Sequence, residues 1–560
     1  MSATNIRAEA VPLLVCVTLG VALATLPHWW TGQWDWIADY DELAFYLPAG
    51  AQAYREHPWR LADPVTAGPT YYQPLSVVPG IMLAKVLGLG PWLIGLCWRV
   101  WGGALVAAGW YGVCRLQLSP KAAAVATCVL LADPGVMNGQ LGYALAKTVV
   151  RHWQDKVDAP TPTSASLPQW RIWNPVLSWP WWFAFLGLTA RAVCQPTLVR
   201  RVAAGISCGL LFHVYFYLWT TAVAGLVLAS LLDRRRLDAY LTILGIGVAV
   251  GLPALLAAMH FRLTFGSDWL LRTDKFVPLS NRWKELLIPR VSLLLLIVSW
   301  IWVWRYRMEY RWLACLATAA LLLLNHTLVT GLQIENFHWN YALGPSLSLL
   351  VVFMIAHVIQ WGPAWLQRNG SGLAIAWAGA VLLVGSALWA RAAGGLPENR
   401  HIYQVVRAYR SLSGVWPVEQ GAAVAGDADF QYLAAVAAGL RPLAGYSALL
   451  SPISDAEFDE RLALNAYLLG QNREEFETHQ RAWLKEYKWG LEARSLVTRE
   501  RRVLDRLAAW DRVTADVKQF LDRFDVRLLA RPTDISREPP PTYWKLLEAS
   551  PHWTIWIRTD

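Results

Sequence analysis

Four carboxylates crowd into the stretch from 35 to 42: Asp35, Asp39, Asp41 and Glu42, within WDWIADYDELAFYLPAG. Acids this close repel one another and are driven toward their protonated forms. Their company is explained by a cation, a substrate or a catalytic task, or else by plain solvation of an acidic loop. A further acid, Asp133, precedes Pro134 and the polar run MNGQLGY. An Asp-Pro step also ends a helix with no chemistry attached. If Asp41 and Asp133 converge, oxygen ligands for a divalent cation would be at hand, with the identity of the ion undefined.

The positive partners lie elsewhere. FRLTFGSDWLLRTDKFVPLSNRWKELL (261–287) carries Arg262, Arg272, Lys275, Arg282 and Lys284, and Arg290 follows. Cations interleaved with aromatics suit a phosphate head group on a long apolar tail, or anionic lipid in general. Arg99, set in an apolar run, is a second candidate for a phosphate. His213, Tyr215 and Tyr217 form one polar aromatic group, and Glu335, His338 and Trp339 another. Either could orient a polyhydroxylated ring by hydrogen bonds or stacking. His326 and His357 read as structural. In the C-terminal part, Asp427 and Asp429 follow a strand-like run, but neither a phosphate-cradling glycine pattern nor a nucleophile elbow accompanies them.

The elements that must position these groups are set by hydropathy. The 560 residues have a mean hydropathy of +0.30 and 16% charged residues, against about 25% in ordinary soluble domains. Long apolar runs fill residues 10–394, whereas 398–560 reads as soluble sequence, and its 22 basic and 23 acidic residues nearly cancel. The basic excess therefore belongs to membrane loops and gives no sign of nucleic-acid binding. All seven cysteines fall in or beside apolar runs without a CxxC pair, so neither a disulfide framework nor a zinc site is indicated.

A bilayer core of roughly 30 Å takes about 20 helical residues to cross. The spans expected are 10–27, 92–114, 121–134, 176–195, 202–214, 216–232, 238–260, 288–304, 312–331, 341–360 and 373–390. The first is an uncleaved helix, not a signal peptide. Residues 73–90, with Pro74, Pro79 and Lys85, read as an interfacial helix. With the N-terminus inside, Arg115 and Lys121, Arg191 with Arg200 and Arg201, Arg234–Arg236, Arg305 with Arg307 and Arg311, and Arg368 all fall on the inner side. The positive-inside tendency thus favours about eleven spans, with the tail and the loops 28–91, 135–175, 261–287 and 332–340 outside. The predicted division is a transmembrane part, 1–397, and a soluble α/β or α+β domain, 398–560. Strands are expected at 421–430 (running into a helix), 525–530 and 553–558, with helices from EFDERLALNAYLLG through 524.

The acidic pair Asp41-Glu42 before LAFYLPAG, then Tyr71-Tyr72-Gln-Pro74-Leu75, resembles the GT-C glycosyltransferases, among them protein O-mannosyltransferases and aminoarabinose transferases. The order of spans to about 260 is similar; the tail has no assigned counterpart. The resemblance implies a polytopic GT-C-like fold and an enzyme that takes a sugar from a polyprenyl phosphate on the exoplasmic side. It places such an enzyme in a plasma membrane, with membrane lipids around it. By the same resemblance Asp41 is the base, with Glu42 second in line. Asp133 matches a second exterior acid, and 261–287 a substrate-binding loop. Glycosyl transfer through an oxocarbenium-like state does need a carboxylate opposite the leaving group. The sequence shows no duplicated halves with broken helices, and its polar residues gather on one side instead of at the midplane. Both features weigh against the alternatives of a transporter or a lipid-linked sugar flippase. A non-catalytic scaffold is the third reading.

Overall fold

The computed structural model describes residues 3–32, 34, 42–71, 74–142, 167–170, 175–266, 268–272, 275–278, 282–364, scattered positions between 372 and 379, 397–412, 416–486, 496–533 and 543–560. Helix α1 is Ala3–Thr31, and two short helices follow, α2 (Leu47–Arg55) and α3 (Val78–Val86). The bundle continues with α4 (Ile94–Cys114), α5 (Pro120–Ala132), α6 (Trp179–Cys194), α7 (Leu198–Leu210) and α8 (Phe216–Leu232). It is completed by α9 (Leu237–Phe265), α10 (Arg290–Tyr306), α11 (Arg311–Leu324) and α12 (Asn340–Trp361).

These helices answer to the first ten spans read from hydropathy; 373–390 falls largely outside the described residues. Among the described residues, four segments are long and apolar enough to cross a membrane alone: Glu9–Trp29, Pro91–Cys114, Arg234–Phe265 and Asn336–Trp361. The chain is an integral membrane protein of largely helical build. Residues 73–90 contribute only the nine-residue α3, about 14 Å at 1.5 Å per residue, too short to span.

Lipid offers no hydrophobic drive between helices, so close packing must hold them together. Helices α7 and α9 meet through paired small-residue steps. A Cβ on Gly209 would come within 2.4 Å of Val250, and one on Gly247 within 2.9 Å of Cys208. Tight connections make successive helices antiparallel and give the bundle two unlike ends. One end carries the arginine-rich connections, tied locally by Arg201–Asp238 (2.7 Å) and by Arg115 Nε to Glu9 (3.0 Å). The other carries the first loop, the Asp133 turn, loops 261–289 and 332–339, and the tail.

The tail folds around a mixed five-stranded sheet of order β4-β3-β5-β7-β6. Its strands are β3 (Ala423–Gly426), β4 (Arg441–Pro442), β5 (Val526–Pro532), β6 (Trp544–Ala549) and β7 (Trp553–Arg558). A separate two-stranded ribbon pairs β1 (Lys275–Pro278) with β2 (Leu332–Ile334). Strands β4, β3 and β5 run parallel, β7 pairs antiparallel to β5, and β6 pairs antiparallel to β7. Around the sheet lie α13 (Pro397–Arg410), α14 (Ala428–Ala438), α15 (Tyr446–Leu450) and α16 (Asp455–Leu468). Helices α17 (Arg473–Glu486), α18 (Leu496–Ala515) and α19 (Val517–Arg523) complete it. Asp427 caps α14 by accepting from Phe430 N at 2.9 Å, which gives this acid a structural duty.

The tail does not stand apart from the first loop. Leu43, Leu47, Ala51, Ile81 and Trp98 share one core with Tyr409, Phe430, Leu433, Leu528 and Ile555. Trp98 lies so close to α2 and α3 that a Cβ on Gly50 or Gly80 would strike its ring at 2.8 or 2.3 Å. Arg55 donates to the carbonyls of Ala435 (3.2 Å) and Val436, closing the C-terminal end of α14.

Deeper in the tail, Asp459 holds Arg502 at 2.7 Å and Arg506 at 3.3 Å. Arg506 is fully buried and lies 4.6 Å over the Trp483 ring. Removing one member of such a group leaves buried charge poorly compensated, typically a loss of about 3–5 kcal/mol. Asp459→Ala is therefore expected to expose the tail to limited proteolysis at temperatures where the wild type resists, with α1–α12 still inserted.

Candidate functional site

Three loop segments meet at the tail-bearing end of the bundle, and their meeting is built by short-range geometry. Asn325, just past the end of α11, binds both backbone groups of Leu287: its Oδ1 accepts from Leu287 N at 2.8 Å and its Nδ2 donates to Leu287 O at 3.0 Å. The β1–β2 ribbon fixes Lys275 opposite Ile334 and Val277 opposite Gln333. The basic loop is thereby stitched to the residue before Glu335. Arg282 lies against the Gly331 turn (φ +67°), where a Cβ would come within 2.8 Å of its guanidinium.

Glu335 is the hub. It is a non-glycine residue at φ +26°, a backbone state that costs energy and persists only where surroundings impose it. Its Oε2 accepts from the Tyr217 hydroxyl at 3.4 Å and lies 3.4 Å from His338 Nδ1. The Tyr217 ring stands edge-on to His338 at 4.9 Å and to Trp339 at 4.8 Å. Tyr215 lies 5.1 Å from Tyr217, and Tyr341 stacks on His338 at 5.4 Å. Trp339 Nε1 donates to Thr220 at 3.1 Å, tying the Asn336–Trp339 turn to α8. The first loop reaches the basic loop through Tyr71. Its ring lies 5.2 Å from Trp269 and 6.0 Å from Phe261.

The structure thus joins two groups that the sequence presented separately, Tyr215 with Tyr217 and Glu335 with His338. His213 does not join them: its Nε2 lies 3.3 Å from Val250 O on α9, against the expectation that it would orient a sugar beside Tyr215. Asp133 is fully buried, with Oδ1 accepting from Gly135 N at 2.8 Å and Oδ2 from Gly142 N at 2.5 Å. It builds a turn. Arg99 is fully buried within α4, and Arg290 is exposed at the start of α10.

Arg272 belongs to the tail. It is 2% exposed and donates to Asp455 Oδ1 at 2.6 Å, Ser451 O at 3.1 Å and Ile453 O at 2.9 Å. A guanidinium so matched docks the basic loop on the tail. Asp35, Asp39 and Asp41 lie outside the described residues, as do the side chains of Glu42, Lys275 and Lys284. Among the described residues no group of three or more His, Cys, Asp and Glu is placed to hold a metal ion.

Sequence reasoning missed Asp63. It is fully buried, and its Oδ1 accepts from Val65 N (3.0 Å), Thr66 N (2.9 Å), Thr66 Oγ1 (3.1 Å) and Ser451 Oγ (3.0 Å). Burial pushes this carboxyl above the usual carboxylate range, and those hydrogen bonds pull it partly back. An Asp-Pro dipeptide in a loop carries no signal that distinguishes such a residue from an ordinary turn.

Chemically, the site offers a carboxylate and an imidazole on an aromatic floor, beside the β1–β2 ribbon. Such a floor stacks the apolar face of a sugar ring while the carboxylate accepts from its hydroxyls, and the ribbon suits an anionic group.

No protein-family model and no curated protein sequence matches the chain. Its fold is similar to that of ArnT from Cupriavidus metallidurans bound to undecaprenyl phosphate, with a TM-score of 0.53 and 11% identity over 96% of this chain and 97% of that one. The apo state of the same ArnT matches over the same shares at a TM-score of 0.49 and 12% identity. An Archaeoglobus fulgidus oligosaccharyltransferase, in complex with Zn and sulfate, matches 93% of this chain and 68% of its own at a TM-score of 0.40 and 13% identity. At such identity the likeness is one of architecture, and the chain carries a GT-C-like fold along nearly its whole length.

Proposed function

We propose that this chain is an integral membrane glycosyltransferase that moves a sugar from a polyprenyl-phosphate donor to an exoplasmic acceptor. The observation that carries the reading is the β1–β2 pairing, which sets the basic loop against the Glu335–His338–Tyr217 cluster. A phosphate held by that loop would lie next to a floor suited to the sugar it carries. The undecaprenyl phosphate bound to the ArnT of like fold supports the same donor class.

In this reading Lys275, Arg282 and Lys284 hold the phosphate, with Arg290 and Arg99 in lesser roles. Tyr215, Tyr217, Glu335 and His338 hold the sugar. Asp41 takes the proton of the acceptor as its oxygen bonds to the anomeric carbon and the carbon–phosphate oxygen bond breaks. Positive charge on the ribbon stabilises the departing phosphate as its charge develops. Glu42 is the second-choice base. A transporter or flippase would place its polar groups along a path through the bundle; here they gather at one end.

Asp41→Asn is expected to lower sugar transfer on the order of 10²–10⁴-fold, the usual worth of a general base. The protein should keep its yield and melting temperature, and near-wild-type transfer by the folded variant would remove Asp41 from the role. Changing Lys275 and Lys284 together to Gln should raise the donor KM roughly tenfold or more, since each charge-assisted bond is worth about 1.5–3 kcal/mol. A rise in acceptor KM instead would assign the loop to the acceptor.

The tail is proposed to be exoplasmic, since it caps the end opposite the arginine-rich connections. A cysteine placed at the exposed position Lys545 should react with a membrane-impermeant maleimide on intact cells. Reaction only after permeabilisation would invert the topology.

A further inference from the structure

One turn of the C-terminal domain touches both loops that the proposed chemistry requires. Ser447 Oγ donates to Ala44 O, in the π-helical turn Glu42–Tyr46 that follows Asp41 directly. Ser451 Oγ donates to Asp63 Oδ1 at 3.0 Å, further along the same loop. From the other side, Arg272 holds the carbonyls of Ser451 and Ile453 and the carboxylate of Asp455, and lies 4.9 Å over the Phe458 ring. Arg272 stands three residues before Lys275, the strand residue paired beside Glu335.

Asp63, Ser447 and Ser451 are fully buried, and Arg272 nearly so. Polar groups out of water must keep their partners, because each one left unmatched costs more than the bond itself is worth. The acidic loop and the basic loop therefore cannot shift independently of this turn. Tyr71 of the first loop packs on Trp269 of the basic loop at 5.2 Å, and the tail adds a buried polar link between the two.

We propose that Ser447–Asp455 is a positioning clamp, which sets the loop bearing Asp41 in register with the basic ribbon. Arg272, Ser451 and Asp63 are its positioning residues. The inference rests on the glycosyl-transfer reading above. It gives the C-terminal domain a direct part in the reaction, beyond that of an appended module. Displacing a reacting group by about 1 Å can cost on the order of 100-fold in rate, so a clamp acts on turnover and not on donor affinity.

The test uses the full chain in nanodiscs, with Arg272→Gln, Arg272→Lys and Ser451→Ala. Hydrogen exchange is followed at 42–46 and 275–278, binding with undecaprenyl phosphate as the probe, and turnover with an undecaprenyl-phosphate-linked sugar that the wild type uses. Arg272→Gln and Ser451→Ala should speed exchange at both segments and lower kcat by roughly 10–100-fold, while probe affinity stays within about twofold. Arg272→Lys should recover part of the turnover. Faster exchange confined to 446–458 with unchanged kcat would overturn the clamp. So would a loss of probe affinity at constant kcat, since Arg272 would then grip the phosphate itself. Should Arg272→Gln fail to fold, the single hydroxyl removed in Ser451→Ala carries the same comparison. If the wild type transfers no sugar at all, the functional reading fails, and exchange at 42–46 and 275–278 still decides the clamp.

Discussion

Inside a bilayer no water is available to satisfy a backbone amide or carbonyl, and this constraint orders everything else in the molecule. Helices meet it within themselves, so the chain crosses as helices and saves its irregular backbone for the ends. Charge then sorts the ends. Arginines gather in tight connections on one side, where acids such as Glu9, Asp233 and Asp238 partly offset them. The opposite end keeps the long loops, and only there can a carboxylate, an imidazole and a set of phenols be brought together without a heavy solvation cost. The asymmetry that makes a surface reaction feasible follows from the same rule that makes the chain helical.

Long loops at that end would be loose if left to themselves, and the tail supplies what they lack. Alanine and leucine side chains from the first loop complete the core under β3 and β5, so loop and sheet are buried together. Burying one large apolar side chain contributes roughly 1.5–3 kcal/mol, and several such residues outweigh the ordering of a short loop. The polar contacts through Arg272 and Asp63 add direction instead of bulk stability. Replacing them with apolar groups would leave the domains attached but free to choose another register.

The helices were legible in the sequence because hydropathy is a property of long windows. The strands at Ala423–Gly426, Val526–Pro532 and Trp553–Arg558 were legible because β-branched and aromatic runs bounded by turns carry their own signal. Strands β4 and β6 were missed: Arg441–Pro442 is two residues long, and WKLLEA (Trp544–Ala549) lacks the alternation of apolar and polar residues that marks a half-buried strand. The site was legible only in parts. Residue type identified Tyr215 and His338 as ring-binding candidates, but nothing local to either group shows that Glu335 stands between them. The tail contacts of Arg272 were hidden for the same reason. A basic residue among aromatics looks alike whether it awaits a phosphate or a loop from the chain's far end, 179 residues away.

Asp133 shows how the membrane constraint decides between two readings of one acid. Helix α5 has 13 residues, about 20 Å of rise, well short of a 30 Å hydrocarbon layer. The chain leaves it through Pro134 into a tight turn, Pro134–Asn138, that packs beneath α12. Gly344 there has no room for a Cβ, which would meet Val136 O at 2.2 Å. A turn this deep exposes amides that water cannot reach, and each one left unmatched would cost several kcal/mol. The two oxygens of Asp133 answer the amides of Gly135 and Gly142. The acid is required at this position whether or not it ever meets a substrate. Its burial under α12 makes it a support for the turn at this end of the bundle.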